Sequence, residues 1–214
     1  MPAFSFPSPL YAIADTLGRA ELSWPELARQ MCAGGARLIQ LRFKERSAGD
    51  FLHIARQLRT ICRQHGCLLI INDRADIARA IDADGLHIGQ DDLPYAAARR
   101  VLGPDKIIGV STHDPAQAVA AEREGADYIG FGPLFGTQTK TTGYTARGLD
   151  QLGGIRNQTS LPIVAIGGIS SERAPAALAA GANAVAMISD IVLSQQVEVK
   201  VRQTLQQLSS VRSP

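Results

Sequence analysis

The stretch LLIINDRADIARAIDADGLHIGQDD, Leu68 to Asp92, decides how the chain is read. It holds two apolar runs, LLII and GLHIG, each of a length suited to one buried strand. Both runs break abruptly into acid, Asn72-Asp73-Arg74 after the first and Asp91-Asp92 after the second. Two explanations compete. Asp and Asn at a strand-to-helix junction can cap the helix that follows, satisfying its free N–H groups. Alternatively, the two strand ends meet and their carboxylates hold a metal ion.

The same unit recurs along the chain. Apolar runs stand at LYAIAD (10–15), RLIQLR (37–42), LLIIND (68–73), GLHIG (85–89), KIIGVS (106–111), DYIGFG (127–132), PIVAIGG (162–168) and NAVAMIS (183–189). Amphipathic stretches separate them. In FLHIARQLRTIC, for example, Phe51, Ile54, Ala55, Leu58, Ile61 and Cys62 fall on one helical face. PAQAVAAEREG ends on Gly125 and APAALAAGA on Gly181, both suited to close a helix. Strands that are apolar throughout, alternating with helices, imply a parallel sheet covered on its faces. Eight such units predict a closed (β/α)8 TIM barrel: a single domain over residues 1–214, with short tails at about 1–8 and 206–214. An open doubly wound sheet is the competing topology. The first turn, LYAIADTLGRAE, lacks the GxGxxG phosphate loop that a dinucleotide-binding version would carry there.

Bulk properties narrow the function classes. A net charge of +2, with no cluster of five or six basic residues, argues against a nucleic-acid partner. No apolar run reaches membrane-spanning length, and MPAFSFPSP lacks the charge and apolar pattern of a secretory signal. Cys32, Cys62 and Cys67 form no CxxC pair and sit in apolar patterns, so they read as buried free thiols in a reducing cytosol rather than as metal ligands or disulfides. The expectation is a soluble, cytoplasmic protein acting on small molecules, with homo-oligomerisation left open.

In a barrel of this kind, chemistry gathers where strands end and loops lead into helices. Those positions hold Gln40, Arg42 and Lys44; Asn72, Asp73 and Arg74; Gln90, Asp91 and Asp92; and Ser111, Thr112 and His113. The sixth strand runs into Gly132-Pro133 and then Thr137, Gln138, Thr139 and Lys140. Two carboxylates beside amide and hydroxyl oxygens suit Mg²⁺ rather than zinc. With the cations Arg42, Lys44 and Lys140, the ring fits a Mg²⁺-bound polyphosphate. Taken singly, Asp73, Asp91 and Asp92 could be caps, and Arg42 and Arg74 rim salt bridges. Around the last two strands, AIGGIS (165–170) brings a Gly pair to the start of the seventh helix, and MISD (187–190) opens the eighth. That is where barrels often seat a phosphate monoester on backbone N–H groups. His53 and His65 read as surface or packing residues, and His87 as core or barrel lining. His113 reaches the rim without an identifiable base–nucleophile partner.

Taken together, QLRFK, INDRADIA, ADGLHIGQDDLP, IIGVSTH, ADYIGFGPLFGTQTK, PIVAIGGI and GANAVAMIS, in this order and spacing, resemble the thiamine phosphate synthase family over roughly residues 8–205. The resemblance implies a transferase. It joins 4-amino-2-methyl-5-(diphosphooxymethyl)pyrimidine to a thiazole phosphate, giving thiamine phosphate and pyrophosphate with Mg²⁺. It assigns Gln40, Leu41, Arg42, Phe43, Lys44, Asn72, Ser111 and Lys140 to the pyrimidine diphosphate, with Arg42, Lys44, Ser111 and Lys140 catalytic. Asp73 and Asp92 become the metal ligands, with Asp91 a neighbouring cap. Thr137, Gln138, Thr139, Gly168, Ile188 and Ser189 would hold the thiazole phosphate. The nucleophile is a ring nitrogen with no proton to lose, so no general base is needed, in keeping with a rim that shows no catalytic dyad. The chain departs from the family pattern mainly in TTGYTARG after Lys140. Two other readings are a thiazole tautomerase on the same barrel and a non-catalytic barrel that binds a phosphate ligand. Gly132-Pro133, with no His beside it, and the complete charged set weigh against both.

Overall fold

Eight parallel strands pair in chain order and close on themselves in this computed structural model, which describes residues 4–19, 22–44, 47–136 and 145–210. The strands are β1 (Leu10–Ala14), β2 (Leu38–Leu41), β3 (Leu68–Asn72), β4 (Gly85–Ile88), β5 (Ile107–Thr112), β6 (Tyr128–Phe131), β7 (Ile163–Ala165) and β8 (Ala184–Met187). The helices are α1 (Trp24–Ala33), α2 (Ala48–Gln64), α3 (Ala75–Ala80), α4 (Tyr95–Leu102), α5 (Pro115–Glu124), α6 (Gly148–Arg156), α7 (Ala174–Ala179), α8 (Ser189–Val192) and α9 (Val197–Ser209). β1 pairs with both β2 and β8, which completes the barrel. No helix among the described residues is long and apolar enough to cross a membrane.

Strand pleating sorts the side chains into two layers, because successive residues point to opposite faces. In β1, Leu10, Ala12 and Ala14 face the helices, while Tyr11 and Ile13 point into the barrel. Ile39 and Leu41 point outward and Leu38 inward in β2; Leu69 and Ile71 point outward and Ile70 inward in β3. Both faces are covered, so most strand positions are apolar and no regular polar alternation marks the runs; Gln40, Asn72, His87 and Ser111 are the inward exceptions that reach the cleft.

The strands' starting end is closed by a device used three times among the described residues. The residue before each of β4, β6 and β8 accepts a backbone N–H from the first or second residue of the preceding odd strand. Asp84 accepts from Leu69 (2.8 Å), Asp127 from Ile108 (2.7 Å) and Asn183 from Ile163 (2.9 Å). An arginine from the helix layer braces each acceptor: Arg59 on Asp84 (2.5 Å), Arg99 on Asp127 (2.8 Å) and Arg156 on Asn183 (3.3 Å). Asp127→Ala should therefore orphan both a strand N–H and a guanidinium. A loss of about 1–3 kcal/mol in denaturant unfolding is expected, with the opposite, strand-ending rim of the barrel undisturbed.

The described parts of the expected tails, 4–8 and 206–210, contribute packed residues. Phe6 is buried in the inner cluster, with its ring 5.2 Å from that of Tyr128, and Phe4 lies 5.6 Å from the same ring. At the other end α9 continues to Ser209 and buries Leu208 completely. The apolar residues at both ends cover surface that the barrel would otherwise expose.

Candidate active site

The two acids that open the problem do not cap helices. The residue preceding α3 is Arg74 and that preceding α4 is Pro94, and neither helix has a side-chain cap. Asp91, expected as a cap, is exposed and has no such role. Asp73 instead adopts the left-handed region (φ 64°), which Asp tolerates better than most residues, and its N–H donates to His87 O (2.8 Å). The turn lifts its carboxylate off the end of β3. Asp92 folds back and accepts the Gly89 N–H at 2.7 Å. Burial first, and then the adjacent Asp73 carboxylate, push the Asp92 carboxyl above the usual carboxylate range. Two oxygen donors that crowd one another in this way fit a hard divalent cation, which would relieve the repulsion. On the other side of Asp73, Lys44 Nζ lies 2.5 Å from Oδ2.

Arg42 is held by Asp15 at the end of β1, with side-chain exposures of only 16% and 12%. Asp15 also accepts the Leu17 N–H (2.9 Å), which fixes the turn after β1. The pair presents a positioned guanidinium at the cleft wall, where Arg42 lies beside Gln40 and Asn72. Pleating corrects two assignments here. The side chains of Leu41 and Phe43 belong to the layer between sheet and helices, where Phe43 stacks on Phe51 (centroids 5.2 Å apart) and meets Trp24 (5.0 Å). Only their backbone is available to a ligand.

Inside the barrel, Gln40 and Ser111 are joined by a chain of hydrogen bonds. Gln40 Nε2 donates to Tyr11 Oη (2.9 Å), which meets Tyr128 Oη at 2.8 Å. Tyr128 Oη then meets His87 Nδ1 (3.0 Å), and His87 Nε2 meets Ser111 Oγ (2.9 Å). With the Gln40 amide nitrogen as donor, one self-consistent arrangement passes every proton along the chain toward Ser111. The imidazole is then protonated at Nε2, and the Ser111 hydroxyl is left to donate outward. Burial pushes both phenols above their ordinary value, so they remain neutral links. Two glycines make room for them. A Cβ on Gly109 would lie 2.0 Å from the Tyr128 ring, and one on Gly130 would lie 3.0 Å from His87.

The far wall comes from the last two units. Gly167 (φ 99°) and Gly168 (φ 63°) turn the chain away from β7. A Cβ on Gly168 would strike Gly136 O at 2.4 Å, so the close approach that demands glycine is to the protein's own β6 loop. The pair lies well before α7, which begins at Ala174, and so not at a helix start as expected. Ser189 does open α8, preceded by Ile188, and its neighbour Asp190 is turned away onto Ser171 (2.7 Å) and Lys200 (3.0 Å).

One cleft unites most of these parts, but Lys44, Asp73 and Asp92 are not among the residues that line it. Gln40, Arg42, Asn72 and Ser111 line one side, and Gly168, Ile188 and Ser189 the other. Thr137, Gln138, Thr139 and Lys140 lie outside the described residues. His113, also on the cleft wall, is tied to Gly132 O (2.5 Å). Sequence reasoning did not carry Asp15, Tyr11 or Tyr128 into the site. The acid ending LYAIAD was the available signal for Asp15. The tyrosines become visible only once the inward register of β1 and β6 is known.

Comparison with known proteins bears on this cleft. The family model described as thiamine monophosphate synthase matches residues 10–191. The thiamine-phosphate synthase of Methanospirillum hungatei is 44% identical over 193 residues, covering 90% of this chain and 94% of that protein. That of Moorella thermoacetica is 44% identical over 206 residues, covering 95% and 97%. Among solved structures, thiamine phosphate pyrophosphorylase from Pyrococcus furiosus superposes with a TM-score of 0.87 at 33% identity, covering 95% of this chain and 96% of that one.

Proposed function

The chain belongs to the thiamine monophosphate synthase family, a family of transferases, and from that premise we propose how its rim divides the work. The activity is thiamine-phosphate synthesis. The observation that carries the division is the two-sided cleft, with a polar wall of Gln40, Arg42, Asn72 and Ser111 and a glycine-bearing wall after β7 and β8.

On the first wall a pyrimidine diphosphate is bound, with Gln40, Arg42, Lys44, Asn72, Ser111 and Lys140 as its contacts. Asp73 and Asp92 would hold Mg²⁺, whose chemistry is to neutralise charge on the departing diphosphate. Arg42 and Lys44 supply positive charge to the same oxygens, and the outward-pointing Ser111 hydroxyl supplies a hydrogen bond. The Lys44–Asp73 contact is compatible with this, because a diphosphate arriving beside Asp73 gives the ammonium a second anion. The thiazole phosphate is bound by Thr137, Gln138, Thr139, Gly168, Ile188 and Ser189. The carbon–oxygen bond to the diphosphate breaks ahead of attack, because the aminopyrimidine donates electrons to the carbon that loses pyrophosphate, and the thiazole ring nitrogen then forms the new bond to that carbon. No proton has to be removed, so the His87 chain acts to orient Ser111 rather than as a base. One barrel domain carries the whole site, in the cytoplasm.

Supplying both substrates with Mg²⁺ to the purified enzyme and following pyrophosphate tests this reading. Release that needs both substrates and stops on chelation is expected; release from the pyrimidine diphosphate alone, or turnover indifferent to chelation, would refute it. Lys44→Ala should lower kcat by the equivalent of about 2–4 kcal/mol, since charge on the leaving oxygens grows as the bond breaks. A normal kcat with only a raised KM would remove Lys44 from the catalytic set.

A further inference from the structure

The chain has only three cysteines, and all three converge on one spot at the end of the barrel opposite the cleft. Cys32 lies in the last turn of α1, Cys62 near the end of α2, and Cys67 immediately before β3. All are free and buried, and their sulfurs lie within 4.8 Å of one another. The turn between the second and third, Cys62-Arg-Gln-His-Gly-Cys67, is closed by Gly66 in the left-handed region (φ 61°). It is clasped by the Cys67 N–H donating to Cys62 O at 2.9 Å. The helix end therefore folds two cysteines back toward each other, and α1 delivers the third.

We propose that Cys32, Cys62 and Cys67 form a binding site for one thiophilic d10 cation, Zn²⁺ or Cu⁺. Three sulfurs at about 2.3 Å from a shared ion stand about 3.8–4.0 Å apart, so a triangle of this size needs adjustments below an ångström. Soft thiolates select such ions and have little affinity for Mg²⁺, which keeps this site chemically separate from the oxygen donors of the rim. As each sulfur–metal bond forms, its thiol proton passes to solvent. Arg37, beside the turn that carries two of the three sulfurs, places positive charge near the negative charge that results. It is anchored on His65 O at 2.9 Å. His65, on the same turn as two of the cysteines, is exposed and is not part of the 4.8 Å cluster, so it would complete a tetrahedral Zn²⁺ only by turning inward; a trigonal Cu⁺ needs no fourth ligand. An ion here would tie α1, α2 and the start of β3 together and raise the melting temperature of the folded chain.

The test uses the full-length, reduced, metal-free protein. It is titrated with Co²⁺ as the spectroscopic stand-in for Zn²⁺, and separately with buffered Cu⁺. One equivalent should produce a sulfur-to-metal charge-transfer band with at least one of the two ions. The same ion should protect all three thiols from a thiol reagent and raise the melting temperature. Cys32→Ser, Cys62→Ser and Cys67→Ser should each weaken binding at least tenfold, and thiamine-phosphate synthesis assayed with Mg²⁺, in the absence of Zn²⁺ and Cu⁺, should be unchanged in each. Loss of the band from His65→Gln with Co²⁺ but not with Cu⁺ would assign the fourth ligand. The absence of a charge-transfer band with both ions in the wild-type protein would overturn the proposal, whether or not the serine variants fold. So would a single titratable thiol in freshly isolated protein, because two cysteines would then form a disulfide.

Discussion

Asp73→Asn and Asp92→Asn are each expected to reduce turnover by at least about 10²-fold while leaving the fold intact. Both substitutions keep the shape and an acceptor oxygen, and Asn tolerates the left-handed backbone of position 73 nearly as well as Asp. What they remove is the charge that a divalent cation requires. The two variants should differ in stability. Asp92 has its folded-state carboxyl raised by burial and by Asp73. Any stability that such a group contributes is present at low pH and is lost as pH rises through its folded value. At neutral pH the ionised Asp92 therefore opposes folding, and Asp92→Asn should melt at or above the wild-type temperature. Asp73→Asn loses its contact with Lys44, an exposed pair of little net worth, and should melt close to wild type. Thermal melts with steady-state kinetics check both. Variants that melt early but turn over normally once folded would return the acids to a structural role.

Arg42→Ala is the second large effect. Condensation should fall by on the order of 10²–10³-fold, because a positioned cation facing the leaving diphosphate is lost. Binding of thiazole phosphate should persist, since Gly168, Ile188 and Ser189 stand on the opposite wall. The substitution also strands Asp15, whose side chain is only 12% exposed, and should cost about 3 kcal/mol of stability. Arg42→Ala combined with Asp15→Asn separates the two consequences, with stability returning and activity remaining low. Normal condensation by the folded double variant would show that the polar wall does not serve the diphosphate. Under a tautomerase reading, the same variants would isomerise a thiazole carboxylate phosphate at the wild-type rate.

The barrel was legible because burial on both faces leaves strands as unbroken apolar runs, and the observed strands fall within those runs with one small excess, Thr112 at the end of β5. The largest shortening has a local cause: PIVAIGG was expected to extend through Gly168, but β7 stops at Ala165 and the left-handed Gly167 and Gly168 turn the chain away. Strand-end chemistry was also readable, since acids and cations concentrated at one end of each run. Which way each side chain points was harder to read. Leu41 and Phe43 share a motif with Gln40, Arg42 and Lys44 yet face the helices, because pleating alternates them. Partners distant in sequence stayed hidden for a related reason. The Arg42–Asp15 pair depends on β1 lying beside β2, and the link from Gln40 to Ser111 depends on Tyr11, Tyr128 and His87 meeting inside a closed barrel. The cysteines read correctly as buried free thiols, but their convergence follows from how α1, α2 and β3 pack.

The most direct test of the central claim, that the acids ending β3 and β4 form one cation site completed by a diphosphate, is paramagnetic titration with Mn²⁺ in place of Mg²⁺. The wild-type enzyme should bind Mn²⁺ weakly alone and at least tenfold more tightly with inorganic pyrophosphate present, and either Asp→Asn variant should lose that enhancement. Equal Mn²⁺ affinity in the wild type and both variants, with pyrophosphate making no difference, would contradict the account.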